Sequence, residues 1–387
     1  MRTLRKWLRN LLIWLPGSVG ESVLLPRVRS IYDRLPLLDW RTQRYVRNEA
    51  RRVKSAISSG VRQFTVVYDT EVVGLAYGTV VNFVAIVKYL NAHNVNTRLY
   101  FVNVSAGDLD PSIVGGQEDY EFKQAEIDYF LTVSIKFARA ALQENLTDIR
   151  LISGDELIAN VNQCSKQYIL FEDFTKNRRP FFRDCFNLLN QLMATADILT
   201  QNRSLFSSSD FIEYLPDQFR GKLYVTWACR YSAIGADFGR QTTESEFCKI
   251  YSYLRDRFPS YDIVLVSDES GCAHYSTLAK NNGILDLKYS KTYFTDFVGD
   301  AALVANSQYF FCFRAGGICL VAVLSNLPYE MFLPLMNEIP WDKNKLTVWQ
   351  KETQTYVILN KHQFEQHRDK DLDKLGVQLS RDGDVIG

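Results

Sequence analysis

The sequence predicts an α/β fold in two domains, each carrying a parallel sheet, preceded by an amphipathic N-terminal helix. Three observations point there. Short β-branched and aromatic runs alternate with helical stretches, the pattern of strand–helix–strand crossovers. That pattern pauses in a polar, turn-rich stretch over residues 202–221 and then restarts. The chain has 387 residues, too many for one ordinary core and enough for two. With 47% apolar and 23% charged residues, disordered and membrane-spanning classes are excluded.

The first domain is expected over residues 60–205. Phe64–Tyr68 reads as a buried strand, Asp69–Gly78 as a loop, Thr79–Ala92 as a helix and Thr97–Val104 as the next strand. Such a unit closes by a right-handed crossover into a parallel sheet. A helix within residues 121–144, a strand at Ile149–Ile152, a helix from Ser153 and a strand at Tyr168–Phe171 follow, then a helix to about Leu199. Ser207-Ser208-Ser209 and Pro216-Asp217 make residues 202–221 read as a linker. The second domain, residues 218–345, is expected to run Lys222–Ala228 (strand), Glu244–Phe258 (helix), Asp262–Ser267 (strand) and His274–Asn281 (helix). It continues with Ile284–Leu287 (extended), Thr295–Ala305 (helix), Tyr309–Phe313 (strand) and Gly317–Leu324 (helix). Residues 346–387 read as a tail packing back on the domains, with strand-like Lys345–Gln350 at its start and Tyr356–Leu359 further on.

Net charge is +1, but residues 1–62 hold fourteen Lys/Arg against four Asp/Glu, so the remainder is acidic. An anionic partner is therefore expected for the N-terminal region, residues 1–58, alone. On a helix spanning residues 2–15, Leu4, Trp7, Leu8, Leu11, Leu12, Trp14 and Leu15 share one face, and Arg2, Arg5, Lys6 and Arg9 share the other. The segment is shorter than the roughly 20 apolar residues a spanning helix needs. It reads as an interfacial helix, with Trp7, Leu11 and Trp14 at the acyl boundary and Arg5 and Lys6 on anionic headgroups. The expected location is cytoplasmic, peripheral on a membrane. Nucleic acid is not the expected partner, because no recognition motif or aromatic platform accompanies the basic helices.

Seven cysteines without a C-x-x-C pair fit reduced thiols in a cytosolic compartment. The four histidines lack partners at ligand spacing, so no metal site is expected. Neither G-x-G-x-x-G nor a Walker pattern is present, which argues against nicotinamide and P-loop chemistry.

Ligands of open α/β sheets sit outside the carboxyl ends of strands, and four such ends stand out. Arg314-Ala-Gly316-Gly317-Ile318 follows an aromatic strand and opens an apolar helix. Its glycines and first helical N–H groups suit a phosphate. Ser267, Asp268 and Glu269 follow a second strand, where a carboxylate can accept ribose or base donors, or simply cap the next helix. Arg230 ends a third, with Arg240 soon after; a guanidinium there can neutralise a diphosphate. Gly78 and Thr79 end the first-domain loop and would face the cleft. Candidate catalytic carboxylates are Asp69, at a strand end, and Glu118 and Asp119, in a Gly- and Pro-shaped loop.

Two such domains, a late glycine turn and a strand followed by Ser-Asp-Glu together resemble the GT-B glycosyltransferases, whose architecture is two Rossmann-like domains facing a cleft. The run Tyr224-Val-Thr-Trp-Ala-Cys-Arg230 resembles the arginine-bearing strand of the fucosyltransferase-like branch, matching the position and the arginine of its His-x-Arg-x-Gly-Asp pattern. Asp300–Leu320 resembles the late donor-binding segment of these enzymes. The resemblance implies transfer of a sugar from a nucleotide-sugar substrate, without cofactor or metal and with inversion, to a hydroxyl of a glycan or lipid-linked acceptor in surface polysaccharide or lipopolysaccharide synthesis. A nucleotide-sugar epimerase of the same fold and a non-catalytic membrane-peripheral binding protein are the alternatives.

Overall fold

The computed structural model describes residues 36–109, 123–142, 147–161, 168–169, 205–231, 242, 244–313, 317–325, 327–332 and 355–357. A basic helix, α1 (Pro36–Ser58), leads into the first sheet. This sheet holds β1 (Gln63–Asp69), β2 (Asn96–Val102), β3 (Thr147–Ile152) and β4 (Tyr168–Ile169) in the order β3-β2-β1-β4, all parallel. Phe64–Tyr68 of β1 is buried throughout, as expected of a strand covered on both faces. Between β1 and β2 lie the short α2 (Thr70–Val73) and α3 (Tyr77–Ala92). The Tyr68 hydroxyl donates to the Gly74 carbonyl at 2.6 Å, and the Thr70 hydroxyl to that of Val102 at 2.7 Å, fixing this turn on the sheet. Helices α4 (Gln124–Ala141) and α5 (Gly154–Val161) complete the unit.

The second sheet is wider. Strands β5 (Tyr224–Cys229), β6 (Asp262–Val266), β7 (Lys288–Tyr289), β8 (Phe310–Phe313), β9 (Tyr329–Phe332) and β10 (Thr355–Val357) stand in the order β10-β9-β8-β5-β6-β7. Every pairing is again parallel. Its helices are α6 (Glu244–Arg257), α7 (Glu269–Asn281), α8 (Phe297–Ala305) and α9 (Ile318–Leu324). Strand β9 was not expected from the sequence, because Pro328 at its entrance and its acidic second residue mask the apolar run. Helix α7 starts five residues earlier than its periodicity suggests, because Asp268 caps it from outside the apolar pattern.

The two units meet through their helices. α3 is apolar on every side, with Val80, Val81, Phe83, Val84, Ile86 and Val87 fully buried, and such a helix belongs inside a core. It packs on β1 and β2 and also against α9 of the second unit, while α4 packs against α8. One apolar cluster therefore runs from Val66 of the first sheet to Val264 and Phe310 of the second. Tyr77 stacks on Phe297 at 4.4 Å, and Phe137 on Phe211 at 5.3 Å. The segment expected as a linker is part of this core. Its two 3₁₀ turns, Ser208–Tyr214 and Asp217–Phe219, bury Phe211, Leu215 and Phe219, and Lys88 of α3 forms an ion pair with Asp210. The spacing of aromatics in that segment, not its serines, is the informative signal.

A second ion pair joins Lys136 of α4 to Asp296 at 2.6 Å. Asp296 also caps α8, accepting from the N–H groups of Val298 and Gly299 at 3.0 Å each. Burial pushes its carboxyl up, but the bonds from Lys136 and the two N–H groups outweigh this and hold it below the ordinary carboxylate range. A depressed acid stabilises the fold above its unfolded pKa, and that contribution disappears as pH falls through the folded value. Asp296→Asn keeps a cap acceptor but has no proton to bind. It is expected to lose about 1 kcal/mol at neutral pH and to show a smaller fall in stability than the parent below about pH 4. Denaturant midpoints across that range check it; parallel curves would reject the assignment. Among the described residues, no helix is long and apolar enough to cross a membrane.

Candidate functional site

Strand order marks a candidate position. From β5 the chain moves to β6 and β7 on one side, then returns to lay β8, β9 and β10 on the other. The boundary between β5 and β8 is therefore the point at which the connections diverge, and ligands of open α/β sheets bind outside the strand ends at such a point. The register sets which residues reach it. Cys229 pairs with Phe313, and Ala228 with Val266. Arg230, Arg314 and Ser267 each follow directly on those three strand ends, on neighbouring strands about 4.8 Å apart. The strand order thus sets Arg230 and Ser267 just past neighbouring strand ends, with β8 on the other side of β5. Arg314 itself, with Gly316 and Arg240, lies outside the described residues.

The surroundings of Arg230 are aromatic. Its carbonyl accepts from the Tyr275 hydroxyl at 2.8 Å, and that hydroxyl also accepts from the N–H of Thr242 at 3.3 Å. Tyr231 stacks on the exposed His274 at 4.3 Å, with planes 18° apart. Partial desolvation lowers the His274 pKa below its usual value, which favours the neutral imidazole. A neutral, stacked Tyr–His pair beside an arginine is a surface on which an aromatic base can lie. Sequence reading passed over both residues. The available signal was Tyr231 itself, an aromatic one position past the strand-ending arginine.

Other expected residues have structural work. The Asp268 carboxylate accepts from the Gly271 N–H at 2.7 Å and the Ser270 hydroxyl at 2.9 Å, so it caps α7. The Ser267 hydroxyl is tucked over Gly271, where an added Cβ would sit 2.1 Å from it. Glu269 is exposed in the first turn of α7. Gly317 meets the backbone of Gly78: a Cβ there would lie 2.6 Å from both the Cα and the N of Gly78. The missing side chain of Gly317 thus admits α3, and that side of the turn is closed to a phosphate. Gly78 and Thr79 are correspondingly buried in the first turns of α3 rather than facing open space. Ile318 is half-buried at the start of α9 and packs against the shared core.

The first sheet has its own divergence point, between β1 and β4, and Asp69 ends β1 there. Its carboxylate accepts from the Glu71 N–H at 3.1 Å and caps α2. Glu118 and Asp119, and the membrane-contact residues Arg5, Lys6, Trp7, Leu11 and Trp14, lie outside the described residues. Among the described residues no cluster of His, Cys, Asp and Glu could hold a metal ion.

No family model matches the chain, and no curated protein does. Several solved structures resemble it faintly. One is an ADP-heptose lipopolysaccharide heptosyltransferase II from E. coli, at 11% identity over 82% of this chain and 98% of that one, TM-score 0.44. Another is a glycosyl transferase family 9 protein from Veillonella parvula, at 10% identity over 70% and 80%, TM-score 0.38. A third is a UDP-GlcNAc 2-epimerase from Neisseria meningitidis, at 11% over 81% and 93%, TM-score 0.31. Likeness this faint says nothing about chemistry, and the α/β fold rests on the chain's own two parallel sheets.

Proposed function

We propose that the chain is a glycosyltransferase that takes its sugar from a nucleotide donor held outside β5 and β8. The observation behind this reading is that Arg230 follows the strand at the divergence point of the second sheet, next to the strand that leads into Arg314. Two guanidiniums there would neutralise a diphosphate without a metal and would stabilise the charge that grows on the departing phosphate. The Tyr231–His274 pair would carry the base. The acceptor hydroxyl would give its proton to a carboxylate of the first unit, Asp69, Glu118 or Asp119. Asp69 already caps α2 through the Glu71 N–H, so the loop carboxylates are the stronger candidates.

The test is a thermal-shift titration of the full chain with GDP, UDP, ADP, dTDP and CMP. One of them is expected to stabilise the fold by about RT ln(1 + [L]/Kd), roughly 2.7 kcal/mol at a hundred times Kd. A melting point unmoved by all five would refute the donor site. An epimerase of the same fold would convert the matching nucleotide sugar with no acceptor present, and that outcome would replace transfer by epimerisation.

A further inference from the structure

A single buried hydroxyl ties together two points of the chain on either side of residues 232–241. Tyr275 lies in the middle of α7 with no exposed surface. Its ring stacks on Phe247 of α6 at 5.4 Å with planes 2° apart, and Phe247 packs on Trp227 of β5 at 4.8 Å. Its carbonyl accepts from the Tyr289 hydroxyl at 3.4 Å. Ring and backbone are thus both held, and the phenol oxygen stands at a fixed point. From there it donates to the Arg230 carbonyl at 2.8 Å and accepts from the Thr242 N–H at 3.3 Å. Arg230 directly follows β5, and Thr242 stands just before α6. A phenol has one proton to give and lone pairs to accept with, and here both functions go to main-chain groups.

Phenylalanine would fill the same space without a polar atom to bury, and burying a hydroxyl is costly unless it is bonded. What the oxygen adds is the placement of Arg230 and Thr242. The preceding residue on α7, His274, is exposed and stacks on Tyr231. Helix α7 therefore acts on both halves of the proposed donor site. It presents the stacked pair on its exposed side and fixes the main chain of the arginine from its buried side.

We propose, resting on the reading of Arg230 as the donor arginine, that Tyr275 is a positioning residue for phosphate recognition. Its hydroxyl sets the Arg230 main chain so that the guanidinium meets the phosphates, and it touches no ligand itself. The experiment measures dissociation constants for the full chain, Tyr275→Phe, Arg230→Ala and the double variant. The probes are GDP, UDP, ADP, dTDP and CMP, each beside its parent nucleoside. Tyr275→Phe is expected to weaken the nucleotide that wild type binds by about tenfold. Binding of the parent nucleoside, which lacks phosphate, should stay within about twofold, and the melting point should fall by only about 2–4 °C. In the Arg230→Ala background the same change should cost less than about twofold, because its effect passes through the arginine. The proposal is overturned if Tyr275→Phe binds nucleotide as wild type does, if it loses nucleoside and nucleotide alike, if it does not fold, or if its cost is the same with and without Arg230. If no nucleotide binds wild type, the donor reading falls and this inference with it. A wild type that binds, with costs that simply add, removes this inference alone.

Discussion

Arg230→Ala is expected to lower sugar transfer by about a hundredfold to a thousandfold, the cost of removing one fixed donor from a developing oxyanion. It should also erase the thermal shift given by the stabilising nucleotide. The size follows from position. Arg230 follows the middle of three adjacent strands, at the divergence point of the sheet. Arg230→Lys keeps the charge but loses the planar fork, and should fall between, near tenfold. The control is internal: the hydrogen bond that ties this strand end to α7 uses the Arg230 carbonyl, which alanine retains. That tie therefore survives the substitution while turnover collapses. Full activity in Arg230→Ala would reject the donor site, and a large loss of apo stability would mean that the side chain serves the fold.

What was legible in the sequence follows a physical division. Periodicity and β-propensity report which residues are buried, so strands such as Phe64–Tyr68 and Asp262–Val266 and helix α6 were readable within a few residues. The parallel topology followed from strand–helix alternation, and with it the three strand ends that meet beyond β8, β5 and β6. Contacts distant in sequence were not readable. The aromatics of Ser207–Phe219 signal burial, but their spacing does not say that they join Phe137 and Phe297 in a core shared by both units. The caps were ambiguous in kind. Asp268 and Asp69 are acids just past strand ends, where a ligand-binding acid and a helix cap look alike, and only the hydrogen bonds to Gly271 and Glu71 separate the two.

Gly317 presents the sharpest case of that ambiguity, and its replacement is a test of how the two units meet. Gly317→Ala is expected to cost about 3 kcal/mol or more, at the upper end of overpacking effects. The backbone of Gly317 has φ −61°, which any residue adopts, so the cost is contact alone. The added carbon would lie 2.6 Å from the Cα and N of Gly78, main-chain atoms in the first turn of a largely buried helix. Neither can rotate away; α3 and α9 must separate, and with them the core common to both sheets. Gly271→Ala makes the useful comparison. Its added carbon meets the Ser267 hydroxyl at the shorter distance of 2.1 Å. A rotor on a half-buried side chain can turn aside, so the change should cost about 1 kcal/mol despite the closer approach. The order of the two urea midpoints therefore reads the nature of the obstacle, not its distance. If Gly317→Ala unfolds no earlier than Gly271→Ala, the two helices do not touch there, and the glycine turn returns to being a candidate phosphate cradle.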